Sequence, residues 1–194
     1  MKLNLENKNV LVTGSSSGIG FEIAKNFSDL GSNVFINSRN LSNLVLAKKL
    51  IGNNNVQAIK GDLTKPKQVE KLFNSINKRC NHLDVLVCNI GNSAPKNIIG
   101  EEKNENWVES LSTNLLSATN TIYHFRKLLK KSLSPSIVCI SSICGVNSLG
   151  APIDYSVSKA ALISFVKNQS RILSCDNIRI NSISPGNIFF DGGV

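Results

Sequence analysis

The chain has 194 residues, of which 41% are apolar and 18% charged, and its 22 basic and 13 acidic side chains give a net charge of +9. That balance fits one domain over 1–194 with a core large enough to need no staples. It excludes a disordered chain, and no apolar run approaches the ~20 residues of a membrane span. The basic residues are scattered. Their densest cluster, Arg126, Lys127, Lys130 and Lys131, closes a predicted helix where cations complement the macrodipole, and no aromatic residues interleave with it. Neither nucleic acid nor a membrane is therefore read as a partner.

Short, mostly apolar runs at 10–13, 33–37, 56–60, 84–88, 137–141 and 179–183 predict strands covered on both faces. Helical periodicity fills the intervals at 19–30, 41–51, 66–78, about 104–131 and 154–174. Gly31 follows the first helix, Asn40 or Ser42 caps the second, and Thr64 precedes Pro66 at the start of the third. The alternation predicts a doubly wound parallel α/β sheet of Rossmann type, with helices on both faces and ligands bound beyond the carboxyl ends of the strands.

The residues after each strand fit that expectation. The first strand runs into TGSSSGIG, residues 13–20, where Gly14, Gly18 and Gly20 allow a tight turn and a close approach of phosphate to a helix N-terminus. Ser38 and Arg39 follow the second strand. With no acid there for a ribose hydroxyl, Arg39 favours the 2′-phosphate of NADP over NAD. Asp62 and Leu63 follow the third strand at the expected place of the adenine, and Asn89 and Gly91 follow the fourth.

After the fifth strand come Ser141 and Ser142, then a helix whose Tyr155 and Lys159 stand at i and i+4 on one face. A cation beside the phenol favours the phenolate, which predicts a lowered tyrosine pKa and a general acid/base. The five cysteines, Cys80, Cys88, Cys139, Cys144 and Cys175, are odd in number and lack metal-ligand spacing. They read as reduced thiols, mostly in the core of a cytoplasmic protein, with no metal.

With TGSSSGIG, CNIG, Ser142, YSVSK and Pro185-Gly186 in this order, residues 8–188 resemble the classical short-chain dehydrogenase/reductase family. The resemblance implies an NADP-dependent oxidoreductase that interconverts a ketone and a secondary alcohol, with a 3-oxoacyl carrier substrate as the generic possibility. Tyr155 would be the acid/base, Lys159 would tune it and hold the nicotinamide ribose, and Ser142 would orient the substrate oxygen. Asn114 would sit at a helix distortion that holds a water of the proton relay. Gly14, Ser16, Gly18, Ile19 and Gly20 would cradle the phosphates, with Ser17 and Gly91 also against the cofactor, Asn89 on the adenosine side, and Pro185, Gly186 and Ile188 along the nicotinamide. Trp107, Leu111, Leu115, Ile122, Phe125 and Leu129 fall where the family dimerises, which implies a homo-oligomer; ordinary core packing is the other reading.

Three departures bear on these expectations. CNIG stands where the family more usually has NNAG, and Ser17 stands where many NADP-using relatives carry a basic residue. The family normally continues beyond the end of this sequence through a lid, a further helix and a seventh strand, so a C-terminal truncation that bares the edge of the sixth strand is expected. A non-catalytic dinucleotide-binding fragment or interaction module is the alternative reading.

Overall fold

The computed structural model describes residues 5–92 and 99–188. Six parallel strands, β1 (Asn9–Val12), β2 (Asn33–Ser38), β3 (Val56–Lys60), β4 (Val85–Cys88), β5 (Ser136–Ile140) and β6 (Arg179–Ile183), form one sheet in the order β3-β2-β1-β4-β5-β6. The helices are α1 (Gly18–Asp29), α2 (Leu41–Ile51), α3 (Pro66–Asn77), α4 (Asn104–Leu111), α5 (Ser117–Leu129) and α6 (Ile153–Ser174). The strand order reverses between β1 and β4, and in a doubly wound sheet that reversal opens a crevice at the carboxyl ends.

Alternation along β1 shows how the two layers form. All three of Val10, Leu11 and Val12 are fully buried, but Leu11 enters the core with Leu72, Ile76, Phe125 and Leu162 from α3, α5 and α6. Val10 and Val12 enter the opposite core with Ala24, Leu44 and Ala47 from α1 and α2. A two-residue period thus feeds helices on both faces.

Three local expectations are corrected. The stretch whose periodicity predicts one helix over about 104–131 is interrupted by a π-helical segment, Ser112–Leu116, between α4 and α5, where the family resemblance places a distortion around Asn114. Thr64 does not cap α3: its hydroxyl and N–H both donate to Asp62 Oδ1, at 2.7 and 3.1 Å, and Lys65 occupies the cap position. Of the five cysteines only Cys88 and Cys139 are buried, facing each other in register on β4 and β5. Asn40 does cap α2, accepting from Asn43 N–H at 3.1 Å.

Opposite the crevice, Asp84 ties the amino ends of the central strands. It accepts from Asn9 N–H at 2.9 Å and from the Ser132 hydroxyl at 2.6 Å, with Lys8 and His82 at 3.5 and 3.2 Å. Burial pushes its pKa up, but the two hydrogen bonds, the Lys8 ammonium and the neighbouring His82 ring outweigh that and leave it below its ordinary value of 3.8. A lowered carboxylate contributes stability above its unfolded pKa and loses it as pH falls through the folded value. Asp84→Ala is therefore expected to lower unfolding free energy in urea by about 1.5–3 kcal/mol at pH 7. The gap to the wild type should narrow below pH 4.

Candidate active site

The turn after β1 and the start of α1 form one wall of a cleft of about 440 Å³. Gly14, Ser16, Ser17, Gly18 and Ile19 lie along it with Asn89 behind them, Ser38, Arg39, Asp62 and Leu63 at one end, and Gly91, Tyr155 and Lys159 at the other. Asn89 locks the turn from behind: its N–H donates to Thr13 Oγ1 at 3.0 Å and its side-chain amide donates to the Gly14 carbonyl at 2.9 Å. Gly20 lies so close beneath that a Cβ would stand 2.5 Å from the Gly14 oxygen. Ser15, fully buried, stitches the same turn to β2 by donating to the Val12 carbonyl at 2.7 Å and accepting from Asn37 N–H at 3.0 Å.

The N-terminus of α1 has no side-chain cap and no acidic residue in its first turn. Free helical N–H groups facing a cleft favour an anion, so this wall fits the diphosphate of a dinucleotide. Ser16 donates to the Ser38 hydroxyl at 3.0 Å, which joins the glycine turn to the rim where Arg39 stands exposed.

At the other end, the first turns of α6 carry the reactive groups. Glu102 accepts the Ile153 N–H at 2.9 Å and so caps this helix from a distant loop, while Asp154 accepts from Ser110 on α4. Lys159 is 3% exposed, donates to the Ile140 carbonyl at 2.9 Å, and lies 5.8 Å from the centre of the Tyr155 ring. Burial brings its pKa down to about 8, so it is mostly cationic at neutral pH. The expected lowering of the Tyr155 pKa is not seen. Burial raises it, a hydrogen bond with Ser142 pulls the other way, and Cys144 adds to the rise. Burial of the phenol is the largest cause, while the Lys159 ammonium spends one hydrogen bond on the Ile140 carbonyl.

Ser141 and Ser142 have separate tasks. Ser141 donates to the Lys159 carbonyl at 3.0 Å and is committed to the helix. Ser142 accepts from Cys144 N–H at 3.1 Å within a short 3₁₀ turn, Ile143–Gly145. That bond engages one acceptor site of its hydroxyl, and its proton can be donated to Tyr155 or to a substrate oxygen.

Asn114 is fully buried in the π-helical segment. Its Oδ1 accepts from Asn92 N–H at 2.8 Å, and its amide donates to the Asn92 carbonyl at 3.1 Å and to the Ser158 hydroxyl at 2.9 Å. It thereby links the loop after β4 to α6. Gly91 lies against this same group, its missing Cβ 2.7 Å from Lys159 Nζ, so its place is at the lysine end of the cleft.

Pro185 and Ile188 do not join the main cleft. They line a neighbouring apolar groove with Ile19, Ile23 and Phe27, while Gly186 packs on Ile143. Ile122, Phe125 and Leu129 belong to the core and Leu115 packs against it, which favours core packing for these positions. The exposed apolar residues of the same helices are Leu116 and Tyr123. Asn92, Thr13, Ser15 and Ser158 were missed by the sequence reading. Ser158 carried the better signal, directly before Lys159 and three residues after Tyr155.

The chain is similar to known proteins along most of its length. The family described as short chain dehydrogenase matches residues 8–190. "Uncharacterized oxidoreductase YvrD" of Bacillus subtilis (strain 168) is 32% identical over 193 residues, covering 99% of this chain and 73% of that protein. The 3-oxoacyl-[acyl-carrier-protein] reductase FabG of Chlamydia trachomatis is 32% identical over 190 residues, covering 96% and 76%. Among solved structures, the Pseudomonas aeruginosa RhlG/NADP active-site complex superposes with a TM-score of 0.91 at 26% identity, covering 97% of this chain and 77% of that one.

Proposed function

The chain belongs to the short-chain dehydrogenase family of oxidoreductases, and on that premise we propose that it is an NADP-dependent reductase of a ketone, free or carried on an acyl carrier, acting in the cytoplasm. The observation that carries the reading is the convergence of Tyr155, Lys159 and the uncapped N-terminus of α1 on one cleft. When bound, the cofactor supplies the hydride.

The chain's own groups handle the charge that hydride delivery creates. A carbonyl that accepts hydride on carbon gathers negative charge on oxygen. Ser142 donates a hydrogen bond to that oxygen, and Tyr155 passes it the phenolic proton, which leaves a secondary alcohol and a phenolate. A phenol raised by burial holds its proton until that oxygen is basic enough to take it. Lys159, cationic beneath the ring, stabilises the phenolate that remains. Asn114 holds the loop after β4 against Ser158 and keeps the lysine end closed.

The α1 N–H groups, with Gly14, Ser16, Ser17, Gly18 and Ile19, would hold the diphosphate, and Asp62 and Leu63 the adenine. Arg39 and Ser38 would hold the 2′-phosphate, in keeping with the NADP of the similar RhlG complex. Arg39→Ala is expected to weaken NADPH binding roughly 10- to 100-fold, the worth of one charged hydrogen bond, and to leave NADH within a factor of two. Fluorescence titration of both nucleotides checks this; an equal loss for both assigns Arg39 no part in the choice. Leu116 in the π-helical segment, 47% exposed, and Tyr123 on α5, 78% exposed, support a homo-oligomer through this stretch of helix.

A further inference from the structure

The turn that carries Ser142 rests directly on the backbone of α6. A Cβ built on Gly145 would stand 2.8 Å from Ala160 N and 2.8 Å from the Lys159 carbonyl carbon, both main-chain atoms that cannot swing aside. Two hydrogen bonds secure the same junction on the strand side. Ser141 donates to the Lys159 carbonyl at 3.0 Å, and Lys159 Nζ donates to the Ile140 carbonyl at 2.9 Å. The chain from Ile140 to Gly145 therefore grips residue 159 at its carbonyl, its side-chain tip and its backbone.

We infer that Gly145 is a positioning residue, whose bare Cα sets the distance between the 142–145 turn and α6 and so holds the Ser142 hydroxyl against Tyr155. Main-chain contacts to carbon or nitrogen ordinarily lie beyond 3.4 Å, so a methyl group here needs the turn and helix to part by several tenths of an ångström. Ser142 and Tyr155 sit on opposite sides of that contact. Ser142 cannot follow Tyr155 by rotating its side chain, because its hydroxyl is tied to Cys144 N–H within the turn. The separation that relieves Gly145→Ala is thus passed to the Ser142–Tyr155 pair.

The catalytic consequence rests on the reductase reading, but the geometry can be tested without cofactor or substrate. The chain has two tyrosines. In a Tyr123→Phe background, ultraviolet absorbance of the phenolate against pH reports Tyr155 alone. The groups facing the phenol are Ser142 and Cys144 from the turn and Lys159 from its own helix, and the Ser142 bond opposes the rise that burial causes. Gly145→Ala is expected to move the titration midpoint upward by about 0.5–1 pH unit, as Ser142→Ala does. The double variant should move it no further. Ser141→Ala, which removes one of the two hydrogen bonds and adds no atom, should move it less in the same direction and serves if Gly145→Ala does not fold.

An unchanged midpoint in folded Gly145→Ala overturns the inference. So does an equal effect of Gly145→Ala with and without the Ser142 hydroxyl, because additivity means that the two act separately. In steady state with NADPH and a diketone, Gly145→Ala should lower kcat about 10- to 100-fold with the NADPH Kd unchanged. No turnover by the wild type would count against the reductase reading and leave the phenol titration standing as its own result.

Discussion

Tyr155→Phe is expected to lower turnover of a diketone roughly 10²- to 10⁴-fold, the ordinary contribution of a positioned general acid, with NADPH affinity changed by less than threefold. The split follows from where the atoms lie. The ring of Tyr155 closes one side of the cleft and Phe keeps it there, so the cofactor loses little contact. What disappears is the proton that neutralises the nascent alkoxide and the hydrogen bond with Ser142. Ser142 and Lys159 remain, so a residual rate above background is expected. A fall in NADPH binding equal to the fall in rate would instead make Tyr155 a binding residue.

Gly20→Ala is expected to weaken NADPH binding by at least about 100-fold, equivalent to losing two charge-assisted hydrogen bonds of about 1.5–3 kcal/mol each. A Cβ at this position would lie 2.4 Å from the Asn89 side-chain nitrogen and 2.5 Å from the Gly14 oxygen. Asn89 can rotate away, but the Gly14 carbonyl belongs to the turn itself. Relief requires the turn to lift from α1, which spoils the aim of the N–H groups that would hold the diphosphate. Fluorescence titration reads the affinity, and circular dichroism confirms that the sheet and helices persist. Binding within threefold of the wild type would assign the diphosphate to another wall.

The sheet was legible because its strands are buried on both faces, so each appears as a short apolar run bounded by turn residues. Val10 to Val12 is such a run, and its alternation between two cores is the fold in miniature. The glycine turn was legible for a related reason, since few residue types tolerate its close contacts. The interruption of the helix around Asn114 was not readable from periodicity, because one extra residue in a turn barely disturbs the spacing of apolar positions. Glu102 capping α6 and Ser110 meeting Asp154 join positions 51 and 44 apart in the chain, beyond any local pattern.

The i, i+4 spacing placed Tyr155 and Lys159 together but could not say which way the ammonium points. Its bond to the Ile140 carbonyl decides that, and burial of the phenol, which spacing does not reveal, sets the direction of its pKa. Between two successive serines, the family resemblance selected Ser142 by its spacing to Tyr155 but gave no physical reason. The commitment of Ser141 to the Lys159 carbonyl leaves Ser142 as the one with a proton to give.

The most direct test is rapid mixing of the NADPH-loaded chain with a diketone while dihydronicotinamide absorbance and fluorescence are followed together. The account predicts a decay in absorbance with the wild type, and in Tyr155→Phe a bound-cofactor fluorescence signal whose absorbance hardly decays. Absence of NADPH binding, or a decay in Tyr155→Phe as fast as in the wild type, would contradict it.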